Sequence, residues 1–302
     1  MRIGIDLGGT KIEGIVLDDA GREQARLRTA TPTGAYEETV RGVADMVRAL
    51  DAKAGTRCRV GVGHPGAISP ATGLIKNANS THLNGHPLDR DLKRALEREE
   101  VRLSNDANCF VVSEAADGAG RGWPVVFGVI LGTGVGGGIV IDGKPLVGAQ
   151  AIGGEWGHNA LPLPRDDERP GPHCYCGRHG CVEAWLSGPA FQKLFSERTG
   201  RALRATDIAE AAEAGDPQAA EALELYCDRL ARALANVINL VDPHVIVLGG
   251  GLSKIRQVYR RVPELWKGYV FSEPDSIATR LLPPLHGDSS GVRGAAWLWP
   301  AS

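Results

Sequence analysis

Two short apolar runs flank a glycine turn at the start of the chain. Residues 3–7 read as a strand, Gly8, Gly9, Thr10 and Lys11 as a turn, and residues 12–17 as a second strand ending at Asp18, Asp19, Ala20 and Gly21. Strand, glycine turn and strand make a hairpin. The same plan returns much later: residues 125–131 are apolar, then come Gly132, Thr133, Gly134, Val135, Gly136, Gly137 and Gly138, then Ile139, Val140, Ile141, Asp142 and Gly143. Residues 14–18 and 138–142 nearly coincide in sequence, which points to a divergent internal duplication with one Gly-Thr turn per half. Between and beyond the hairpins, residues 59–63 and 101–103 read as strands and 107–116 as a helix. In 217–241, Leu230, Leu234, Val237, Ile238 and Val241 recur at helical spacing, so one face of a long helix is buried. Residues 245–248 form a β-branched run entering Gly249, Gly250 and Gly251, and a short helix over 292–299 ends the chain. Strands alternating with helices predict an α/β fold with two sheet-based lobes, joined without a low-complexity linker.

Composition acts mainly by exclusion. The 302 residues leave room for two compact domains, and 43% hydrophobic with 23% charged residues is an ordinary globular balance. A formal net charge of -2 with no large basic block argues against a nucleic-acid surface, and no apolar run approaches membrane-spanning length. The first nine residues hold one basic residue and no uninterrupted apolar core, so no signal peptide is expected and the cytoplasm is the expected compartment. Cys58, Cys109 and Cys227 stand in apolar or helical contexts and are expected as buried thiols.

The two Gly-Thr turns carry the first chemical signal. Glycine turns present backbone N–H groups without side-chain obstruction, and such arrays bind phosphate oxygens. Gly8, Gly9, Thr10 and Lys11 on one side, and Gly132, Thr133 and Gly134 on the other, predict a grip on a nucleotide triphosphate. Gly249, Gly250 and Gly251 offer flat backbone for an adenine ring. Asp6, at the first turn, is placed to hold hydrated magnesium. Asn105 and Asp106 stand between a strand and a helix. Both suit an N-cap, and Asp106 also suits a carboxylate that takes the proton of an attacking hydroxyl. Glu155, Trp156, Gly157 and His158 follow the second hairpin, and a carboxylate and an imidazole three apart suit a polyhydroxylated ligand.

Cys174, Cys176 and Cys181 crowd into eight residues, with Gly177 and Gly180 free to wrap an ion. Cys174 and Cys176 lack the C-x-x-C spacing of a redox pair, so three thiolates and one imidazole around zinc is the expected arrangement. His158, His173 and His179 are all candidates for the fourth ligand.

These motifs resemble those of the ROK family of repressors, open reading frames and kinases. Asp6 to Lys11 is similar to its first phosphate motif. The glycines at 132–138, with Gly148, Gly153 and Gly154, resemble its signature, and Glu155 to His158 with the loop from Cys174 to Glu183 resembles its sugar and zinc motifs. The resemblance runs end to end. It implies the actin-like ATPase (ribonuclease H-like) duplicated fold, two lobes around a nucleotide and sugar cleft. Residues 1–117 would form the small lobe, with 289–302 packing back on it, and 118–288 the large lobe with the zinc loop. It implies His158 as the fourth zinc ligand, beside Cys174, Cys176 and Cys181, and puts Asn105, Asp106, Glu155, His158 and Glu183 on sugar hydroxyls. ATP, Mg2+ and a structural Zn2+ are the implied cofactors, a sugar and ATP the small-molecule partners, and a homodimer the expected assembly.

Within the family, the run Lys76, Asn77, Ala78, Asn79, Ser80, Thr81, the run Leu83, Asn84, Gly85, and residues 286–299 resemble the bacterial fructokinase and mannokinase branch. Fructose, converted to fructose 6-phosphate, is therefore the expected acceptor, with mannose and glucose behind it and N-acetylglucosamine as the alternative. A family repressor would carry an N-terminal helix-turn-helix, for which the strand starting at residue 3 leaves no room. A sugar-sensing protein without catalysis would not need Asp106 together with both phosphate turns.

Overall fold

The computed structural model describes residues 1–32 and 34–300; residue 33 and the last two positions of the 289–302 segment lie outside the described residues. In chain order the elements are β1 (Arg2–Leu7), β2 (Lys11–Leu17), β3 (Glu23–Ala30), α1 (Tyr36–Ala54), β4 (Arg59–His64), β5 (Ala67–Ile68), β6 (Ile75–Lys76), α2 (Leu88–Leu96), β7 (Val101–Asn105) and α3 (Asp106–Ala116). Then follow β8 (Val125–Leu131), β9 (Val135–Ile141), β10 (Lys144–Pro145), α4 (Val182–Leu186), α5 (Gly188–Thr199), α6 (Ala205–Glu213), α7 (Pro217–Val241), β11 (Val245–Gly249), α8 (Arg256–Trp266), β12 (Arg280–Leu282) and α9 (Ser290–Trp297). The strands form two five-stranded sheets of order β3-β2-β1-β4-β7 and β10-β9-β8-β11-β12, besides a small β5-β6 pair. Each large sheet opens with an antiparallel hairpin and continues with parallel strands reached through helices, so the duplication read in the two glycine hairpins extends to the strand order.

The chain divides into two compact units. The first comprises residues 1–122, 138–153 and 288–302, and the second residues 123–137 and 154–287. The expected boundary at 117/118 differs from this in one main respect: residues 138–153 go with the first unit. A Cβ at Gly138 would lie 2.8 Å from Oδ1 of Asn108 and from Val111, so the outgoing half of β9 lies against α3.

In the first unit β2 shows why both sheet faces are covered. Ile12 and Val16 join the core under α1, whereas Ile15 and Leu17, of opposite parity, pack with Val292 and Ala296 of α9. On α1, Val40, Val43, Val47 and Leu50 recur at helical spacing and are buried. α9 lies unusually close to its neighbours because glycine stands at each crossing. A Cβ built at Gly4 of β1 would collide with the Val292 carbonyl, one at Gly61 of β4 with the Ala295 carbonyl, and one at Gly294 of α9 with the Cys109 carbonyl of α3. The colliding atoms are backbone, which cannot rotate aside. Gly294→Val is therefore expected to destabilise the protein by about 3 kcal/mol or more, at the upper end of overpacking costs. Chemical denaturation checks it, with a midpoint like that of the parent sequence as the contrary result.

In the second unit α7 is the central helix. Asp216 caps it, accepting from the backbone N–H groups of Gln218 and Ala219, with Pro217 in the first turn. Its buried face carries Asp228, Arg229 and Arg232. Arg229 donates to Glu168 at 2.8 Å, and Arg232 donates to Glu168 at 2.8 Å and to Asp228 at 3.0 Å, while Arg165 reaches Asp228 at 3.0 Å. Burial pushes the Glu168 carboxyl up, but bonds from Arg232, the Arg165 backbone and Arg229 outweigh it and bring it down to about 2. This network fastens the stretch before the cysteines to α7. No helix among the described residues is long and apolar enough to cross a membrane.

Candidate active site

In the first unit, the end of β1 places Asp6 opposite Glu13 of β2. The turn between them is closed by Gly8, whose N–H donates to the Lys11 carbonyl at 3.0 Å, and by Thr31, whose hydroxyl donates to the Gly8 carbonyl at 2.7 Å. Gly9, Thr10 and Lys11 are exposed. Glu13 is buried and collects three cations: Lys11 Nζ at 3.0 Å, Arg28 at 2.8 Å, and Arg26. Spacing did not single out Glu13; the available signal was a carboxylate inside an otherwise apolar strand.

Asn105 ends β7 and caps α3. Its Oδ1 accepts from the Ala107 N–H at 2.9 Å and its Nδ2 donates to the Gly66 carbonyl at 2.9 Å. Asp106, the first residue of α3, is exposed, and its Oδ1 also accepts from Ala107 N–H, at 2.8 Å. Cap and exposed carboxylate thus occupy successive positions. Asp6 feels this neighbour: burial first, then the charges of Asp106 and Glu13, raise its carboxyl to about 6.

That shift has a definite sign. Below the ordinary value of 3.8 the Asp6 carboxyl is protonated in both folded and unfolded chains. As pH rises towards 6 the unfolded chain ionises first, so the folded state loses up to about 3 kcal/mol, and the loss is complete above 6. Asp6→Asn removes this penalty. In magnesium-free buffer it is expected to raise the melting temperature at pH 8 and to leave it nearly unchanged at pH 4. An equal effect at both pH values would disprove the assignment.

In the second unit, Gly132 N–H donates to the Gly134 carbonyl at 3.0 Å, closing the turn between β8 and β9. Glu183 of α4 accepts from the Val135 N–H at 2.8 Å, just after that turn. The third glycine cluster comes to the same place. Gly250 has φ 79°, a conformation suited to glycine, and a Cβ there would collide with the carbonyl of Leu131, the residue before the turn. Glu155 is exposed. Trp156 behind it donates from Nε1 to the Gly136 carbonyl at 2.9 Å, fixing the 156–158 turn on β9.

His158, Cys174, Cys176 and Cys181 each turn one ligand atom inward, all within 4.8 Å of one another. His158 Nδ1 lies 3.6 Å from Cys174 Sγ, and Cys176 Sγ lies 3.6 Å from Cys181 Sγ. Zinc–sulfur bonds of about 2.3 Å in a tetrahedron give ligand separations of about 3.8 Å, so the donor set and spacing fit structural zinc. Burial, then the Cys176 and Cys174 thiols, push Cys181 up to about 12. Of the three candidate histidines, His158 joins the cluster, whereas His173 and His179 bridge to each other with edge-to-face rings 5.3 Å apart. Tyr175, between two of the cysteines, was not singled out by sequence. Its hydroxyl lies 3.0 Å from His158 Nε2.

Two sheets of like strand order, each with a glycine-turned hairpin, place the chain in the actin-like duplicated α/β fold class. The ROK family profile matches residues 2–302, and the chain belongs to the ROK family. An N-acetyl-D-glucosamine kinase of Pectobacterium carotovorum subsp. carotovorum (strain PC1) is 41% identical over 302 residues, covering 99% of this chain and 98% of the relative. A ROK hexokinase from Thermus thermophilus superposes with TM-score 0.86 at 31% identity, covering 98% of this chain and 96% of the other. A ROK glucokinase from Streptomyces griseus, in complex with glucose and AMPPNP, gives TM-score 0.78 at 28% identity, covering 98% of each chain. None of these three is called a fructokinase, and the curated relative bears the name given above as the alternative to fructose.

Proposed function

We propose that this chain transfers the γ-phosphoryl group of ATP to a free sugar, with N-acetyl-D-glucosamine as the first acceptor. The observation that carries the acceptor is the 41% identity, over essentially the whole length of both chains, to an N-acetyl-D-glucosamine kinase. In the reaction a sugar hydroxyl oxygen, O6 in this reading, forms a bond to the γ-phosphorus, the bond from that phosphorus to the β-phosphate bridge breaks, and ADP leaves. Asp106 takes the hydroxyl proton from its exposed position at the head of α3. Asn105 orients the sugar from beside it. On the second unit Glu155, His158 and Glu183 meet sugar hydroxyls.

Gly8, Gly9, Thr10 and Lys11, with Gly132, Thr133 and Gly134, receive phosphates, and Gly249, Gly250 and Gly251 the adenine. Asp6 would hold magnesium, which would neutralise phosphate charge, and a dication would relieve the burial and the Asp106 charge that raise its carboxyl. His158, Cys174, Cys176 and Cys181 would hold zinc, which fixes the loop and the imidazole.

A second reading keeps fructose, with mannose and glucose behind it. It rests on residues 76–85, the stretch that resembles the fructokinase and mannokinase branch. Asn84 clamps that stretch, accepting from Ala78 N–H at 2.9 Å and donating to the Ala78 carbonyl at 3.0 Å. Coupled ADP release with N-acetylglucosamine, fructose, mannose and glucose decides between them. The expected result is the highest kcat/KM for N-acetylglucosamine. A lead of about tenfold or more for fructose would transfer the proposal to the second reading, and release with no sugar in the panel would overturn both.

A further inference from the structure

We propose that Tyr175 is a place-holder for the sugar: in the sugar-free protein its hydroxyl takes the hydrogen bond from His158 that an acceptor hydroxyl takes in the complex. The inference rests on the reading that a sugar hydroxyl meets His158. The geometry starts from the imidazole. Nδ1 faces the sulfurs, 3.6 Å from Cys174, so Nε2 points away from the cluster, and there it meets the Tyr175 hydroxyl at 3.0 Å. The two rings stand edge to face, with centroids 5.2 Å apart and planes at 86°. When Nδ1 is given to a metal, the one ring proton of a neutral imidazole sits on Nε2. The bond therefore runs from Nε2–H to the phenol oxygen. One N–H makes one good hydrogen bond, so a sugar hydroxyl gains His158 only by displacing Tyr175.

Displacement is easy for this side chain. Tyr175 is 79% exposed, whereas Tyr36 and Tyr226 are core residues at 7% and 1%. Little apolar contact is lost when its ring swings out. The backbone beneath stays fixed, because Cys174 N–H donates to the Arg178 carbonyl at 2.8 Å and Gly177 N–H to the Cys174 carbonyl at 2.9 Å. Only the side chain moves. While it stays, the tyrosine holds the imidazole in the orientation that the sugar needs. The rival arrangement keeps Tyr175 in place and has it hand its own O–H to the sugar. The two differ in sign, since removing a competitor tightens binding and removing a contact weakens it.

The experiment measures sugar affinity by calorimetry for the full-length zinc-containing protein, for Tyr175→Phe and for Tyr175→Leu, with zinc per chain and KM for ATP determined on the same preparations. One exposed hydrogen bond predicts that sugar Kd falls about two- to fivefold in both variants, with zinc content and KM for ATP unchanged. A mono-deoxy analogue of the accepted sugar that lacks the displacing hydroxyl is expected to show no such gain. Unchanged or weaker sugar binding in the variants overturns the proposal, and so does loss of zinc from both, which would make the hydroxyl a structural support. If the parent protein binds the sugar and the variants bind it no tighter, the Tyr175 inference fails alone. If the parent binds no sugar, the sugar-kinase reading fails with it.

Discussion

Asp106→Asn is expected to lower turnover by about 10²–10⁴-fold while leaving sugar binding within a few-fold of the parent protein. The separation follows from the local structure. The cap of α3 is made by Asn105, through Oδ1 to the Ala107 N–H at 2.9 Å, and does not depend on Asp106. Asparagine at 106 keeps an oxygen for the second bond to that same N–H. What it lacks is a site to receive the proton of an attacking hydroxyl. Asn105→Ala makes a useful contrast. It removes the cap and the bond to the Gly66 carbonyl, so it is expected to cost about 1 kcal/mol of stability and also to weaken sugar binding. A second readout belongs to Asp6. Its carboxyl is raised to about 6 by burial and then by the charge on Asp106, so neutralising Asp106 moves it back down. Turnover and calorimetric sugar binding on one preparation are the deciding pair, and turnover within about threefold of the parent would exclude the proton-acceptor role.

The parts of the fold that show in the sequence are those where burial is one-sided or complete. β8, enclosed and apolar, spans the residues its hydrophobic run predicts, and α7 spans the whole of its periodic pattern. β7 extends two residues further than its apolar start, because its last residues, Ser104 and Asn105, are polar and lead into α3. The final helix begins at Ser290, two residues before the apolar pattern indicates and at a polar residue that is nonetheless buried. β3 gives only a weak apolar signal, Ala25 and Leu27 alternating with polar residues: it is an edge strand whose Glu23, Gln24, Arg26 and Arg28 face water or Glu13, and its place is set by pairing with β2.

The site divides in the same way. Local motifs are legible, since three cysteines in eight residues and an Asn-Asp pair at a strand-to-helix junction bring their chemistry with them. Which histidine completes the cluster is not legible from spacing, because that depends on how the chain between 159 and 180 folds back. It does so through the Ala160 to Cys181 bridge and the Val182 N–H bond to the Asn159 carbonyl. Glu13 and Tyr175 were missed for a related reason. Glu13 gathers its cations from β2 and from the neighbouring β3, Tyr175 meets His158 across the folded loop, and a single charged or aromatic residue carries no spacing to be recognised.

Loss of a zinc ligand is expected to damage sugar affinity more than ATP affinity. Cys181→Ser replaces a buried sulfur with a short, hard oxygen and leaves three ligands for an ion that prefers four in a closed structural site. Zinc per chain is expected to fall from about one to near zero. Cys181 is pushed up to about 12 by burial and by its fellow thiols, so without a cation this ligand stays a neutral S–H that no longer ties the four side chains to one point. Two routes lead outward from it. The direct one is His158, whose Nδ1 faces the sulfurs and whose Nε2 is the proposed sugar donor, so metal loss frees the ring to rotate and to change tautomer. The indirect one is α4, which starts at Val182 immediately after Cys181 and carries Glu183 to the Val135 N–H at 2.8 Å, beside the turn proposed to receive phosphate. That turn keeps its own closure between Gly132 and Gly134 and its bond from the Gly188 N–H, so the nucleotide side is less exposed to the loss. The expected result is a rise of about tenfold or more in KM for the sugar, with KM for ATP changed less than about threefold. Steady-state kinetics with metal analysis on protein purified without a metal-affinity tag provides the check. Equal losses for both substrates would place the metal's effect on the unit as a whole, and full activity in a zinc-free variant would remove zinc from the account.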